Sequence, residues 1–263
     1  MAYIRDYFSA ARICKHPQKN ICLIIAYDGS SFFGWQKSNS GPSVEETLQK
    51  VLEQILQEPV CLQAASRTDR GVHALGQVVN FLTEKDPPKI LSINRLLPAS
   101  IRALDMRIMP LDFHPSLDAT GKLYIYHVCF GPLQLPFHRS FSWHVPAQFD
   151  LARMREAAGA LTGEHDFSSL CNSHESLNYI HKRRKIERID LIVLEPNRLR
   201  IEIQGNHFLY KMARNIVGTL VYVGTGKLAP EAIPEILAAK QRPLAGVTAP
   251  AHGLTLQMIY YSK

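Results

Sequence analysis

The run ASRTDRGVHALGQ, residues 64–76, sets one carboxylate, Asp69, between the guanidinium groups of Arg67 and Arg70, with Gly71 next. An aspartate so placed is ionised at neutral pH and makes a poor general acid. It is suited to act as a nucleophile or to stabilise positive charge as it develops. Gly71 permits backbone conformations closed to other residues, or close approach by a ligand. A solvated surface turn uses the same residue types, so the choice rests on the remainder of the chain.

Three other stretches carry groups of chemical interest. In YKMARNIVG, residues 210–218, helical geometry turns Met212, Ala213, Ile216 and Val217 inward and leaves Arg214 within the apolar stretch. Arg214 either faces solvent or reaches a cleft and pairs with Asp69, because a buried arginine needs a carboxylate partner. In KLYIYHV, Tyr124 and Tyr126 are two apart and share one strand face. That spacing serves ordinary sheet packing or offers a ring to a planar base. The basic run HKRRK, residues 181–185, is either a solvated strand edge or a phosphate contact.

Elements that would position these groups are visible in the periodicity. NICLIIAYDGS reads as a buried strand closed by a turn. GPSVEETLQKVLEQILQEP reads as a helix with Ser43 and Glu46 as a capping box and Val44, Leu48, Val51, Leu52 and Ile55 on one face. Residues 60–65 and 77–83 read as strands joined by the arginine-rich loop, followed by a helix near 92–97 and a strand near 101–109. After DFHPSLDATG the pattern of element types starts again. KLYIYHVCF is a strand, and DLARMREAAGALTG a helix capped by Asp150 with Gly163 past its end. KIERIDLIVLE and LRIEIQG are strands, FLYKMARNIVGTLVYVG is helical, a second helix follows near 230–240, and LTLQMIYY closes as a strand. This order predicts an α+β fold of two similar halves with a cleft between them. The expected division is a loose extension over 1–19, one half over 20–115 carrying the aspartate loop, and a second over 116–263.

Bulk composition narrows the function. The 263 residues are 46% apolar, enough for a sizeable core, and 30 Lys and Arg against 23 Asp and Glu leave a net charge of +7. That balance suits a polyanionic partner. The cysteines at 14, 22, 61, 129 and 171 are odd in number with no CxxC spacing, and the eleven histidines form no HxxxH or HExxH pair. A disulfide framework, a metal site and a phosphate-binding loop are therefore not expected. No apolar run approaches the ~20 residues that span a bilayer, and the expectation is a cytoplasmic protein without a membrane segment.

ASRTDRGVHALGQVVNF resembles the signature of the tRNA pseudouridine synthase A family. IAYDGSSFFGWQ, DFHPSLDATGKLYIYHV, GEHDFSSL, GNHFLYKMARNIVGTL and TAPAHGLTLQMIYY are similar to further family blocks, in family order, so the resemblance spans about residues 20–262. It implies a pseudouridine synthase fold: two ferredoxin-like or RRM-like halves form a mixed, mainly antiparallel sheet with helices on one face and a central cleft. It implies isomerisation of uridine to pseudouridine at positions 38, 39 and 40 of the tRNA anticodon stem-loop. By the same resemblance Asp69 is the catalytic aspartate and Arg67 helps displace the target nucleotide. Tyr124 packs on the uracil, Arg214 pairs with the carboxylate, and the protein is a homodimer whose partner is tRNA. Arg70 stands where a small residue is usual, Leu123 where a polar one is frequent, and Ala213 replaces a common valine.

The reaction cuts the C1′–N1 bond and makes C1′–C5. Nothing is oxidised, hydrolysed or added, so no cofactor and no metal are expected. The base must leave the stack and be shielded from water. An ionised carboxylate near C1′ attacks the sugar, stabilises a cationic sugar or removes a proton; the residues alone leave these three routes open. Basic charge and aromatic strands suit a non-catalytic RNA-binding or chaperone protein equally, but simple binding has no use for a carboxylate facing phosphates. A synthase with a different RNA target is the other alternative.

Overall fold

β1 (Lys19–Tyr27) is the first strand of a computed structural model that describes residues 18–174, 179–195 and 197–262. All but the end of the extension expected over 1–19 lies outside the described residues. The other strands are β2 (Gln63–Ala64), β3 (His73–Thr83), β4 (Ile101–Met109), β5 (Ala119–Phe130), β6 (Trp143–Val145), β7 (Gly163–Asp166), β8 (Arg183–Glu195), β9 (Arg198–Gly205) and β10 (Leu254–Tyr261). They form one mixed sheet in the order β4-β1-β3-β10-β5-β9-β8-β7, with β2 added to β3 and β6 to β5. Along that path every pairing is antiparallel except β3 with β10, which run parallel through His73 opposite Thr255 and Ala74 opposite Leu256. The last strand of the chain thus closes the seam between early strands and late ones.

Among the described residues five α-helices supply the second layer: α1 (Val44–Leu56), α2 (Ile90–Leu96), α3 (Leu151–Leu161), α4 (Met212–Gly224) and α5 (Ile233–Ala239). Ser43 caps α1 by accepting from the Glu46 amide at 3.1 Å. Glu46 does not complete a capping box; its carboxylate pairs with Lys50 at 2.6 Å. Asp150 caps α3 by accepting from the amides of Ala152 and Arg153, and Gly163 takes φ +110° beyond its end. Ile21, Leu23 and Ile25 of β1, Tyr124, Tyr126 and Val128 of β5, and Leu199, Ile201 and Ile203 of β9 join one core with the apolar faces of α1, α3 and α4. Strand β9 alternates strictly, and its other face carries Arg200 and Glu202 as an ion pair at 3.0 Å. The α+β architecture expected from the sequence is the one observed.

α4 is buried on nearly all sides, so its backbone lies against other backbone. A Cβ on Gly218 would fall 1.6 Å from the Val247 carbonyl oxygen, and one on Gly246 would fall 2.4 Å from the Gly218 oxygen. Only glycines at both positions allow the segment 245–249 to lie flat on this helix.

His127 on β5, opposite Arg200 on β9, is held neutral. Burial lowers its pKa to about 4, and the charges of Arg198, Arg200 and His138 add to the effect. The unfolded chain, with histidine near 6.5, then binds more protons between the two values, so stability rises with pH across that window. The contribution is complete above about pH 6.5 and lost as pH falls towards 4. Denaturant unfolding is predicted to show about 1–2 kcal/mol less stability at pH 5 than at pH 7, after discounting for the part of the ring open to water. His127→Gln is expected to flatten that slope; an unchanged slope in the variant would assign the effect to another group.

Candidate active site

The loop 65–72 between β2 and β3 is fixed from several sides. Ala65 donates its amide to the Val78 carbonyl, and Thr68 accepts from the Trp35 amide at 3.0 Å. Gln77 accepts from the Ser66 amide and donates to the Ser66 carbonyl. The Tyr27 hydroxyl meets Thr68 Oγ1 at 2.8 Å. Gly34 at φ +101° lets its chain lie against the loop, since a Cβ there would fall 2.8 Å from the Thr68 oxygen. The Val72 amide returns to the Asp69 carbonyl as a turn with Gly71 at φ +79°, the conformation for which glycine was expected.

This clamped turn presents Asp69 to the start of α4. Arg214 Nη1 lies 2.7 Å from Asp69 Oδ2, across 145 residues of sequence, with the two side chains 14% and 23% exposed. The Arg214 Nε–H donates to the Ala249 carbonyl at 2.7 Å, and the Arg214 carbonyl accepts from the Ala249 amide at 3.1 Å. Ala249 is in turn held near β5, because the Tyr126 hydroxyl donates to the Pro250 carbonyl at 2.7 Å. The guanidinium is therefore fixed at two points and cannot swing away from the carboxylate without breaking both.

Tyr124 lies on β5 beside this pair. It is 6% exposed, its hydroxyl is 2.9 Å from Ser66 Oγ, and Phe208 meets its ring edge-on at 4.9 Å. Burial raises its pKa to about 12, the Ser66 hydrogen bond opposes that, and the negative charge of Asp69 adds to the rise. The hydroxyl keeps its proton at neutral pH. Tyr126, on the same face, packs fully buried and supports the Pro250 turn.

The sequence profile of a family described as tRNA pseudouridine synthase matches residues 23–114 and 157–262. The chain belongs to the tRNA pseudouridine synthase family. It is 56% identical over 247 residues to tRNA pseudouridine synthase A 2 of Protochlamydia amoebophila (strain UWE25), covering 92% of this chain and 94% of that protein. It is 42% identical over 246 residues to tRNA pseudouridine synthase A of Ruminiclostridium cellulolyticum, covering 92% of this chain and all of the other. The family resemblance expected from the sequence motifs holds, and it places the protein among the isomerases.

Around the Asp69–Arg214 pair of this pseudouridine synthase, the other expected site residue stands apart. Arg67 is exposed and makes no ion pair among the described residues. Its neighbour Arg70 lies over the Phe33 ring at 4.1 Å. Arg70 also lines a hollow of about 480 Å³ with Ser30, Gly71, Arg139, Ser140 and His252. The basic run 181–185 lies at the start of β8, with Arg183 paired to Glu164 of β7 at 3.1 Å and the Arg184 guanidinium over the Tyr179 ring. A larger hollow between α3, β7 and α5 shares no residue with the Asp69 cluster. Among the described residues no group of acids, histidines and cysteines is gathered as for a metal, and no helix is long and apolar enough to cross a membrane.

Several residues of the site have no signal of their own in the sequence. Ser66, Gln77, Tyr27 and Thr68 are polar residues 90% or more buried around the loop, and Ala249 acts only through its backbone.

Proposed function

We propose that the protein isomerises uridine to pseudouridine at positions 38, 39 and 40 of the tRNA anticodon stem-loop, as a cytoplasmic homodimer. Asp69 is the catalytic carboxylate at C1′, and Arg214 fixes its charge and position. Tyr124 packs on the uracil, with Phe208 as the side chain that yields to admit the base. Arg67, exposed on the loop, helps displace the target nucleotide. Arg70 and Arg139 offer two guanidinium groups to the flanking phosphates, a use for the arginine found at this unusual place. The two half-folds on either side of the β3–β10 seam supply the walls of the cleft. The observation that carries this reading is the 2.7 Å pair of Asp69 and Arg214, brought together from opposite ends of the chain. Binding RNA without chemistry gives no reason to hold a carboxylate within a basic site.

In the reaction the C1′–N1 bond breaks and C1′–C5 forms, the C5 hydrogen leaves as a proton, and N1 gains one. Transfer RNA carrying uridine tritiated at C5 must therefore release tritium to water. Release in the presence of this protein, with the modified positions mapped in a strain lacking it, tests both reaction and target. No release would leave the RNA-binding reading; release from other positions would move the target. Sedimentation tests the dimer.

Tyr124 gives a sharper prediction. Tyr124→Phe keeps the ring and is expected to preserve tRNA affinity, whereas Tyr124→Leu should weaken binding by about 1–3 kcal/mol, the range for base stacking. Equal losses of affinity in the two variants would put the hydroxyl, not the ring, in contact with the RNA.

A further inference from the structure

The chemistry proposed above leaves one buried cation without a part. Lys122 lies on β5 two residues before Tyr124 and is 9% exposed. Its Nζ donates to the Ala65 carbonyl at 2.8 Å and to Ser66 Oγ at 3.2 Å. No carboxylate pairs with it among the described residues. An apolar side chain of that length would fill the space without the cost of burying charge, so packing does not explain a lysine here.

We propose that Lys122 is a positioning residue of the site: its ammonium pins the first residues of the Asp69 loop and, through Ser66, the Tyr124 hydroxyl. This rests on the function proposed above. An ammonium has donors only, so the Ala65 carbonyl and Ser66 Oγ both accept from Lys122, and Ser66 Oγ in turn lies 2.9 Å from the Tyr124 hydroxyl. Both bonds from Lys122 are charge-assisted. A neutral amine loses that assistance, and the loop and the hydroxyl behind it are held less firmly.

The neighbourhood brings this loss of charge within reach. Burial lowers the Lys122 pKa to about 8. The titratable groups facing it are Tyr124, which stays protonated, and His207. The His207 pKa is lowered first by burial, then by the charges of Lys122 and Arg184. Asp69 acts on Tyr124 from beyond it.

The test is single-turnover pseudouridine formation in tRNA from about pH 7 to 9.5, for wild type, Lys122→Arg and Lys122→Met, with tRNA affinity and thermal unfolding measured alongside. The wild-type rate is expected to fall with a one-proton slope above about pH 8. Lys122→Arg, which keeps its charge throughout, should retain most of the neutral rate and lose that fall. Lys122→Met should lose about 10²-fold in rate through misplacement of the loop and hydroxyl, with tRNA affinity within about threefold. Should the methionine variant fail to fold, the arginine profile decides. An arginine variant with the wild-type fall, or one no faster than the methionine variant, overturns the role of Lys122. So does a methionine variant at wild-type rate. A wild-type protein that forms no pseudouridine in any RNA overturns the proposed function itself, and is thereby told apart.

Discussion

Asp69→Asn is expected to lower pseudouridine formation by on the order of 10³-fold or more while tRNA affinity stays within about threefold. Asparagine has nearly the same shape, and its side-chain oxygen can still accept from Arg214, which lies 2.7 Å away in the native pair. The turn itself is held by backbone bonds from Thr68 and Val72 and by Gln77 on Ser66, none of which uses the carboxylate. The substitution thus removes the negative charge that the proposed mechanism places at C1′, with little change in the shape of the loop. Arg214 keeps its bond to the Ala249 carbonyl, so the loss in stability should be only about 1 kcal/mol for a pair that is partly open to solvent. Tritium release measured with saturating enzyme, next to filter binding of the same tRNA, separates chemistry from affinity. A variant that turned over at near the wild-type rate would remove Asp69 from the mechanism.

The largest effect on stability is expected at a residue with no side chain, from Gly218→Ala. The added methyl would fall 1.6 Å from the Val247 carbonyl oxygen. Backbone meets backbone there, so no side chain can rotate aside. Either α4 or the segment 245–249 has to shift, at a cost of about 3 kcal/mol or more. Arg214 is on that helix and Ala249 in that segment, and they bond to each other in both directions. Activity should therefore fall together with the unfolding midpoint, even at temperatures where the protein remains folded. Gly159→Ala is the matched control: it is also helical, but its Cβ would meet nothing within 4 Å. That change should be neutral or stabilising by about 0.5–1 kcal/mol. If Gly218→Ala unfolded at the same denaturant concentration as Gly159→Ala, the close backbone contact would not be a determinant of this fold.

Local elements with complete local signals were the legible ones. α1 and α3 have capping residues and one apolar face each, and β9 alternates without a break. Other boundaries moved for identifiable reasons. The strand expected over 60–65 pairs only at Gln63 and Ala64, because the loop that follows bonds through Ser66 and Thr68 instead. β3 begins at His73 rather than near 77; its first residues face both core and solvent and include Gly76, which hides the alternation. β6 and β7 are three and four residues long, too short to show a period. α4 starts at Met212, later than its apolar spacing suggests, because Lys211 takes a left-handed conformation at φ +59°.

Composition and motifs by themselves determined the chemical inventory: an aspartate in a basic setting, aromatic strands, and the family to which the chain belongs. They also determined which faces of the main helices and strands turn inward, since that follows from spacing within one element. Residue spacing left open whether Arg214 faces solvent or meets Asp69, and the pair was implied by the family resemblance alone. Arg67 and Arg70 are its neighbours in the chain, yet the partner is Arg214, 145 residues on. Adjacent side chains on a tight turn point apart, so proximity in sequence does not produce a pair. The contact needed the parallel join of β3 with β10 and the glycine-to-backbone seat of α4. Both are long-range packing events, and no local pattern of residues records them.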